Sequence, residues 1–223
     1  MTIGVNPTVG SIRPITPSRS TVSTKSTATR STLVSLFFCL LVLLPFTASA
    51  HTETGAIGGF VSGFKHPISG LDHMVAMVAV GLWGAFLGGR AMWMLPVVFP
   101  VVMAFGGALG VLGVPFPAIE TGIAISGVVL GLMVAFAVKP PLWTAAVIVG
   151  LFGMFHGHAH GTELPETANA LAYSVGFVIS TGLLHLSGIA LGLLVRWPWG
   201  RIAVRAGGFA IAAVGLGFLF NFL

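Results

Sequence analysis

The chain has 223 residues, of which 56% are hydrophobic and only 7% are charged, and its mean hydropathy is +1.02. This composition is typical of one compact integral membrane domain and argues against a soluble globular core. The formal net charge is +5, but four of the ten Lys and Arg residues and none of the acids precede residue 51. Residues 51–223 therefore carry six cations and five acids. This nearly neutral balance gives no support to a nucleic-acid partner.

The first fifty residues predict a cleavable signal peptide. Residues 1–32 are basic, rich in Ser and Thr and free of acids, residues 33–46 are an apolar run, and Ala48-Ser49-Ala50 is a small-residue cleavage signal. An uncleaved signal anchor, a misplaced start codon and an organelle transit peptide are the alternatives, because the basic segment is unusually long. The only cysteine, Cys39, lies in this leader, so the mature chain would have neither disulfides nor thiolate metal ligands.

Six apolar segments of the mature chain are each near the roughly 20 residues with which a helix crosses a bilayer. Gly-x-x-x-Gly pairs in several of them predict tight packing, since small residues let helix backbones approach closely. The predicted fold is an all-α membrane protein, a compact bundle of six transmembrane helices in residues 51–223 after the signal peptide in residues 1–50. The predicted spans are 71–89, 91–111, 119–138, 142–160, 169–195 and 202–222.

The charges of the loops predict the orientation of the bundle. Five cations fall on one side of the alternating spans and Lys65 alone falls on the other, and the positive-inside rule assigns the side with five to the cytoplasm. The signal peptide independently places the mature N-terminus outside, so we expect a multi-pass protein of the inner (plasma) membrane with a periplasmic N-terminus. The five cations are Arg90, Lys139, Arg196, Arg201 and Arg205.

With this orientation, imidazoles and carboxylates from distant segments reach the same periplasmic face. His156 and His160 lie about 40° apart around a helix axis, and Glu163 returns close to His156, so these three form one stripe while His158 points away. Neutral imidazole with carboxylate suits nickel, zinc, copper or cobalt. We therefore predict one divalent-metal site assembled from two histidine clusters. Its predicted ligands are His66, Asp72, His73, His156, His160 and Glu163.

Some residues near this site also have a structural interpretation. Ser69 and Asp72 match a capping box for the first span, so Asp72 is a cap, a ligand, or the acceptor of the second N–H of a ligating imidazole. Pro67 and Gly70 are expected to bend the chain before this span. Glu120 opens the third span, where the helix dipole favours an anion; capping and attraction of a metal ion are both compatible with that position.

Two further histidines are candidates for metal binding. Cleavage after Ala50 would make His51 the mature N-terminus, whose α-amine and imidazole can together chelate a metal ion; a simple terminal histidine is the alternative. His185 lies within the fifth predicted span, one turn after Thr181. It is either a buried imidazole that is paired to this helix neighbour or an inner binding residue on an ion path.

Two multi-residue motifs resemble those of the HupE/UreJ family of membrane proteins, which are associated with nickel supply to hydrogenase and urease. The resemblance covers residues 51–223 and implies a six-helix permease for Ni²⁺, with Co²⁺ or Zn²⁺ as alternatives, and with the histidines and acids of the motifs as functional positions. His158 fills a variable position and receives no role. The matching residues are His66, Asp72 and His73 in the first motif, and Phe155, His156, Gly157, Ala159, His160, Gly161 and Glu163 in the second.

These observations predict a secondary permease without a prosthetic group, whose partners are a divalent metal ion and the lipid bilayer; a homo-oligomer is left open. The ion would be captured at the periplasmic face and pass toward His185. Because histidine ligands must be deprotonated to bind, uptake is expected to fall as the pH drops through the histidine range. The alternatives are a membrane-embedded zinc hydrolase, with three ligands, a water and a carboxylate base, and a non-transporting metal-delivery partner of a metalloenzyme.

Overall fold

The computed structural model describes residues 55–164 and 169–223, together with Met1 and Gly4. Within these residues every regular element is helical, which confirms the all-α prediction. The predicted signal peptide and His51 lie outside the described residues. The helices are α1 (Gly55–Ser69), α2 (Leu71–Leu87), α3 (Ala91–Val111), α4 (Ile119–Ala135), α5 (Leu142–Thr162), α6 (Ala170–Gly192) and α7 (Pro198–Leu219), and a 3-10 turn (Leu193–Arg196) joins α6 to α7.

Among the described residues, four helices are long and apolar enough to cross a membrane: α3, α5, α7, and α6 with its 3-10 turn. Helices α1 and α2 meet the same criterion only as a pair, which is bent by 79°. Helix α4 is apolar but has only 17 residues. Length and composition therefore support four crossing helices, or five if the bent pair is one span, where the sequence predicts six.

Helix α2 lies at the centre of the bundle. Ten of its 17 residues are buried, and Met77, Val80 and Trp83 are completely inaccessible. Its main neighbours are α6, α4 and α3. A helix that is apolar on all sides is stable when other helices surround it in this way. Since His73 lies in the first turn of α2, the predicted metal site is at one end of the most enclosed helix.

The sequence did not indicate α1, a helix that packs along α6. A Cβ atom on Gly63 would collide with the backbone of Tyr173, so the two helices touch through their main chains. Pro67 lies inside α1 and does not form the bend, because the chain turns at Gly70. Because α1 packs along α6, His66 in its last turn contacts the bundle while its side chain stays 31% exposed.

Helices α3 and α5 form the most extensive helix pair. A Cβ atom on Gly106 would lie 2.5 Å from the carbonyl oxygen of Met154, and one on Gly157 would overlap the carbonyl group of Met103. This contact confirms the predicted tight packing through small residues. It also fixes the position of α5 along α3, and therefore where the histidines at the end of α5 lie in the bundle.

The cationic loops lie at the helix ends that are remote from the histidines. Helix α2 begins beside His73 and ends shortly before Arg90, while α5 begins after Lys139 and ends at its histidines. Helix α2, with 17 residues, spans about 25 Å. At the same end, Arg205 Nε donates a hydrogen bond of 2.7 Å to the carbonyl of Ala135. This separation of cations from imidazoles agrees with the predicted orientation.

Candidate metal centre

The structure brings both predicted histidine clusters together at one end of the bundle. His73, His156 and His160 each offer a ring nitrogen within 4.8 Å of the other two; we call these residues the inner triad. His66, His160 and Glu163 meet the same distance limit and form the outer triad. His160 belongs to both triads. Residues of α1, of α2 and of the C-terminal end of α5 therefore supply the candidate ligands jointly.

The two triads differ in their access to solvent. His156 is completely buried, and His73 and His160 are 9% and 6% exposed. In the outer triad, the side chains of His66 and Glu163 are 31% and 50% exposed. A hydrated ion that approaches from solvent therefore meets the outer triad first. His160 is the residue that the two triads share.

The outer triad is arranged around the Glu163 carboxylate. Its Oε2 atom lies 3.3 Å from His66 Nε2 and 4.0 Å from His160 Nδ1. The rings of His66 and His160 stand nearly perpendicular, with centroids 4.8 Å apart. One carboxylate between two imidazoles is a suitable ligand set for a divalent transition metal.

Asp72 holds the ring of His73. Its Oδ1 accepts hydrogen bonds of 2.8 Å from the backbone N–H and from Nδ1–H of His73. The predicted capping box does not form: Ser69 donates instead to the carbonyl of Lys65, and α2 begins after Gly70 without a side-chain cap. The reason is that Ser69 ends α1 and so cannot cap α2. The observed role of Asp72 is that of acceptor for an imidazole N–H, as in many metal sites.

Ser126 on α4 contacts the inner triad, although the sequence gave no sign of it. Its Oγ atom lies 2.9 Å from His156 Nε2 and donates a hydrogen bond to the carbonyl of Ile123 at 2.6 Å. A single serine in an apolar helix has no motif around it. Only the packing of α4 against α5 brings this hydroxyl to the imidazole.

Aromatic rings from α6 and α3 form the apolar wall of the site. The ring of Phe177 lies 4.5 Å from that of His160, and the ring of Tyr173 lies 6.0 Å from that of His66. Phe99 lies 5.4 Å from His156, centroid to centroid. An apolar lining of this kind lowers the local dielectric constant and strengthens electrostatic interactions in the site. The sequence did not single out these rings, because aromatic residues are common in any apolar helix.

His185 lies beyond Phe99, outside both triads. Its ring centroid is 5.6 Å from that of Phe99. Neither its nitrogens nor Thr181 Oγ1 has a hydrogen-bond partner within the described part of the chain, so the alternative of a pair with Thr181 is wrong. The carbonyl of Pro96 lies beside the ring without hydrogen-bond geometry. This carbonyl has no helical donor, because Pro100 carries no N–H.

The remaining candidates do not join the triads. Glu120 is exposed in the first turn of α4 and belongs to neither cluster in residues 55–164 and 169–223. His158 points away from the His156 stripe, as predicted, and its Nε2 donates a hydrogen bond of 2.7 Å to the carbonyl of Val114. Its ring also stacks on Phe116. His158 thus holds the loop between α3 and α4.

Comparison with known proteins identifies the family. Residues 39–218 match the family described as HupE / UreJ protein. Over 176 residues the chain is 47% identical to Protein HupE of Rhizobium leguminosarum bv. viciae, and the alignment covers 79% of this chain and 92% of that protein. No solved structure matches the chain. The chain therefore belongs to the HupE/UreJ family.

Proposed function

We propose that this protein is a secondary permease for divalent transition-metal ions, with Ni²⁺ as the first candidate and Co²⁺ or Zn²⁺ next. The observation that carries the proposal is the pair of triads that share His160, one partly exposed and one buried. The apolar helices and the family make the chain a multi-pass membrane protein. The HupE/UreJ resemblance implies nickel as the cargo, for a hydrogenase or a urease.

Capture would begin at the outer triad. The carboxylate of Glu163 attracts the hydrated cation, and His66 and His160 replace part of its water shell. The ion then moves inward by exchanging Glu163 and His66 for His73 and His156, while His160 stays bound throughout. Transport requires binding that is favourable enough for entry and weak enough for release. Three neutral imidazoles without a carboxylate release a cation more easily than a site with several carboxylate ligands would.

Beyond the inner triad, we place His185 on the ion path. Phe99 separates its ring from His156, so a movement of this aromatic ring would connect the two imidazoles. The carbonyl of Pro96, which receives no hydrogen bond from Pro100, offers an oxygen ligand next to His185. His51 and Glu120 remain candidates for guiding ions toward the periplasmic face.

The topology that fits this function has six crossings. The bent pair of α1 and α2 would serve as one span and the short helix α4 would complete the six. The histidine end would face the periplasm and the cationic loops the cytoplasm of an inner-membrane protein, after removal of residues 1–50. Labelling of cysteines introduced near Glu163 and near Arg90 by a membrane-impermeant reagent would test this orientation, since only the first should react in intact cells.

A zinc hydrolase is the second candidate, because three imidazoles with an open position match the ligand set of many catalytic zinc sites. The family membership favours the permease. A metal-delivery protein would bind the same ions without moving them. Of the three functions, only the permease moves the ion across the membrane.

Uptake of ⁶³Ni²⁺ by sealed vesicles that contain the purified protein tests the proposal directly. We expect accumulation above that of empty vesicles, and loss of this accumulation in His160→Ala, which removes a member of both triads. Thr162→Ala is the matched control at the same helix end, since its hydroxyl only bonds the carbonyl of Ala159. Binding without accumulation would overturn the permease and leave the delivery protein and the hydrolase.

A further inference from the structure

Ser126 and His156 form a side-chain pair in the interior of the bundle. Both residues are completely inaccessible to solvent. Ser126 Oγ lies 2.9 Å from His156 Nε2 and 2.6 Å from the carbonyl oxygen of Ile123. The hydroxyl therefore has two partners, and its single hydrogen can serve only one of them.

The direction of these two hydrogen bonds follows from the chemistry of the groups. A carbonyl oxygen only accepts, so the hydroxyl hydrogen of Ser126 must point to Ile123; otherwise two oxygens would face each other at 2.6 Å without a proton. Toward His156 the hydroxyl can then only accept. His156 Nε2 must carry the hydrogen, and Nδ1 of the neutral ring keeps a free lone pair.

The free nitrogen of His156 has no other use within the described residues. Its Nδ1 is buried and lacks a hydrogen-bond partner. A buried polar atom without a partner is costly. A bound cation would satisfy it.

The same reasoning gives the opposite result at His73. The Asp72 carboxylate accepts from Nδ1–H of His73 at 2.8 Å, which leaves Nε2 as the free nitrogen, and that atom is also buried without a partner in the described chain. Two rings of the inner triad are thus held in opposite tautomers by groups on α2 and α4. In this arrangement each neutral ring has only one nitrogen available for a metal ion.

We propose that Ser126 is a positioning residue that selects the binding nitrogen of His156, so that a metal ion in the inner triad is bound through Nδ1 of His156 and Nε2 of His73. The identity of the ligand rests on the proposed metal function. The tautomer of His156 does not, because it is a property of the protein without metal.

The first experiment measures this tautomer in the wild-type chain. ¹⁵N NMR of histidine-labelled protein in detergent micelles without metal, at about pH 8 where imidazoles are neutral, distinguishes protonated from unprotonated ring nitrogens. The His156 signals are assigned by their loss in His156→Gln. We expect hydrogen on Nε2 and none on Nδ1, and a mixture of both tautomers in Ser126→Ala. Hydrogen on Nδ1 in the wild type would overturn the proposal, whether or not Ser126→Ala folds.

The second experiment uses Cd²⁺ as a diamagnetic probe. We expect the ¹⁵N signals of His156 Nδ1 and His73 Nε2 to move on binding, and Ser126→Ala to weaken Cd²⁺ binding by roughly 10- to 100-fold, as for other groups that orient metal ligands. Ser126→Thr, which keeps the hydroxyl, should restore affinity. Ser180→Ala is the matched control, because Ser180 is equally buried and has no partner in the described residues.

Two results of the Cd²⁺ experiment would contradict the proposal: binding through Nε2 of His156, or unchanged affinity in Ser126→Ala. A wild-type chain that binds no Cd²⁺ would count against the metal function instead. In that case the tautomer measured without metal still decides the role of Ser126.

Discussion

His66 Nε2 lies 3.3 Å from Glu163 Oε2 and joins the last turn of α1 to the end of α5. The contact exists because the chain bends by 79° between α1 and α2, which folds His66 back over the bundle. Both side chains are substantially exposed, and exposed ion pairs contribute only about 0–1 kcal/mol to stability. A role in binding explains this arrangement better than a role in stability.

Glu163→Gln should therefore weaken ion capture without destabilising the protein. The variant keeps the size and polarity of the side chain but removes the only carboxylate of the outer triad. We expect the apparent KM for Ni²⁺ uptake to rise by roughly tenfold or more, while thermal unfolding in detergent stays as in the wild type. An unchanged KM would show that capture does not use this carboxylate.

Uptake should also decrease at low pH. Protons compete with metal ions for imidazole nitrogens, so the affinity of histidine ligands for a metal ion falls as the pH drops. We expect slower ⁶³Ni²⁺ uptake at about pH 5.5 than at about pH 7.5. The same pH must be set inside and outside the vesicles, so that a proton gradient does not contribute. Equal rates would show that no ligand that limits uptake is protonated between these two pH values.

Packing between α3 and α5 should control the position of the histidines of the site. A Cβ atom on Gly157 would overlap the carbonyl of Met103, so Gly157→Ala must push the helices apart and move His156 and His160. We expect a loss of about 1–3 kcal/mol in stability, as for other overpacked positions, together with weaker metal binding. Gly182→Ala is the control, because a Cβ atom there meets nothing within 4 Å. Equal stability of the two variants would contradict this account.

The helices and the meeting of the histidine clusters could be predicted from the sequence. Apolar runs define the spans, and α3 has the predicted bounds because Arg90 and Gly113 limit its run on both sides. Alternation of the spans was sufficient to bring His73 and His160 to one end. The six crossings, the orientation and the metal function remain proposals.

The other features of the site depend on tertiary contacts that no local sequence pattern indicates. Helix α1 is short and contains four glycines and a proline, so it gave no signal of a span, yet it supplies His66. The capping interpretation of Asp72 failed because Ser69 belongs to another helix. Ser126 gains its contact only from the packing of α4 against α5. Local rules predict elements well, but they cannot predict which side chains meet between elements.

The final prediction separates transport from binding and from hydrolysis. His185 lies outside both triads and is 2% exposed, so His185→Ala should leave Ni²⁺ binding intact while it slows uptake into vesicles. Its ring nitrogens have no hydrogen-bond partner in the described chain, so the change leaves no donor or acceptor newly unpaired. His185→Gln restores a polar group at the same depth and should recover part of the rate. A hydrolase at the histidine end would not respond to either change, and normal uptake by His185→Ala would remove this residue from the ion path.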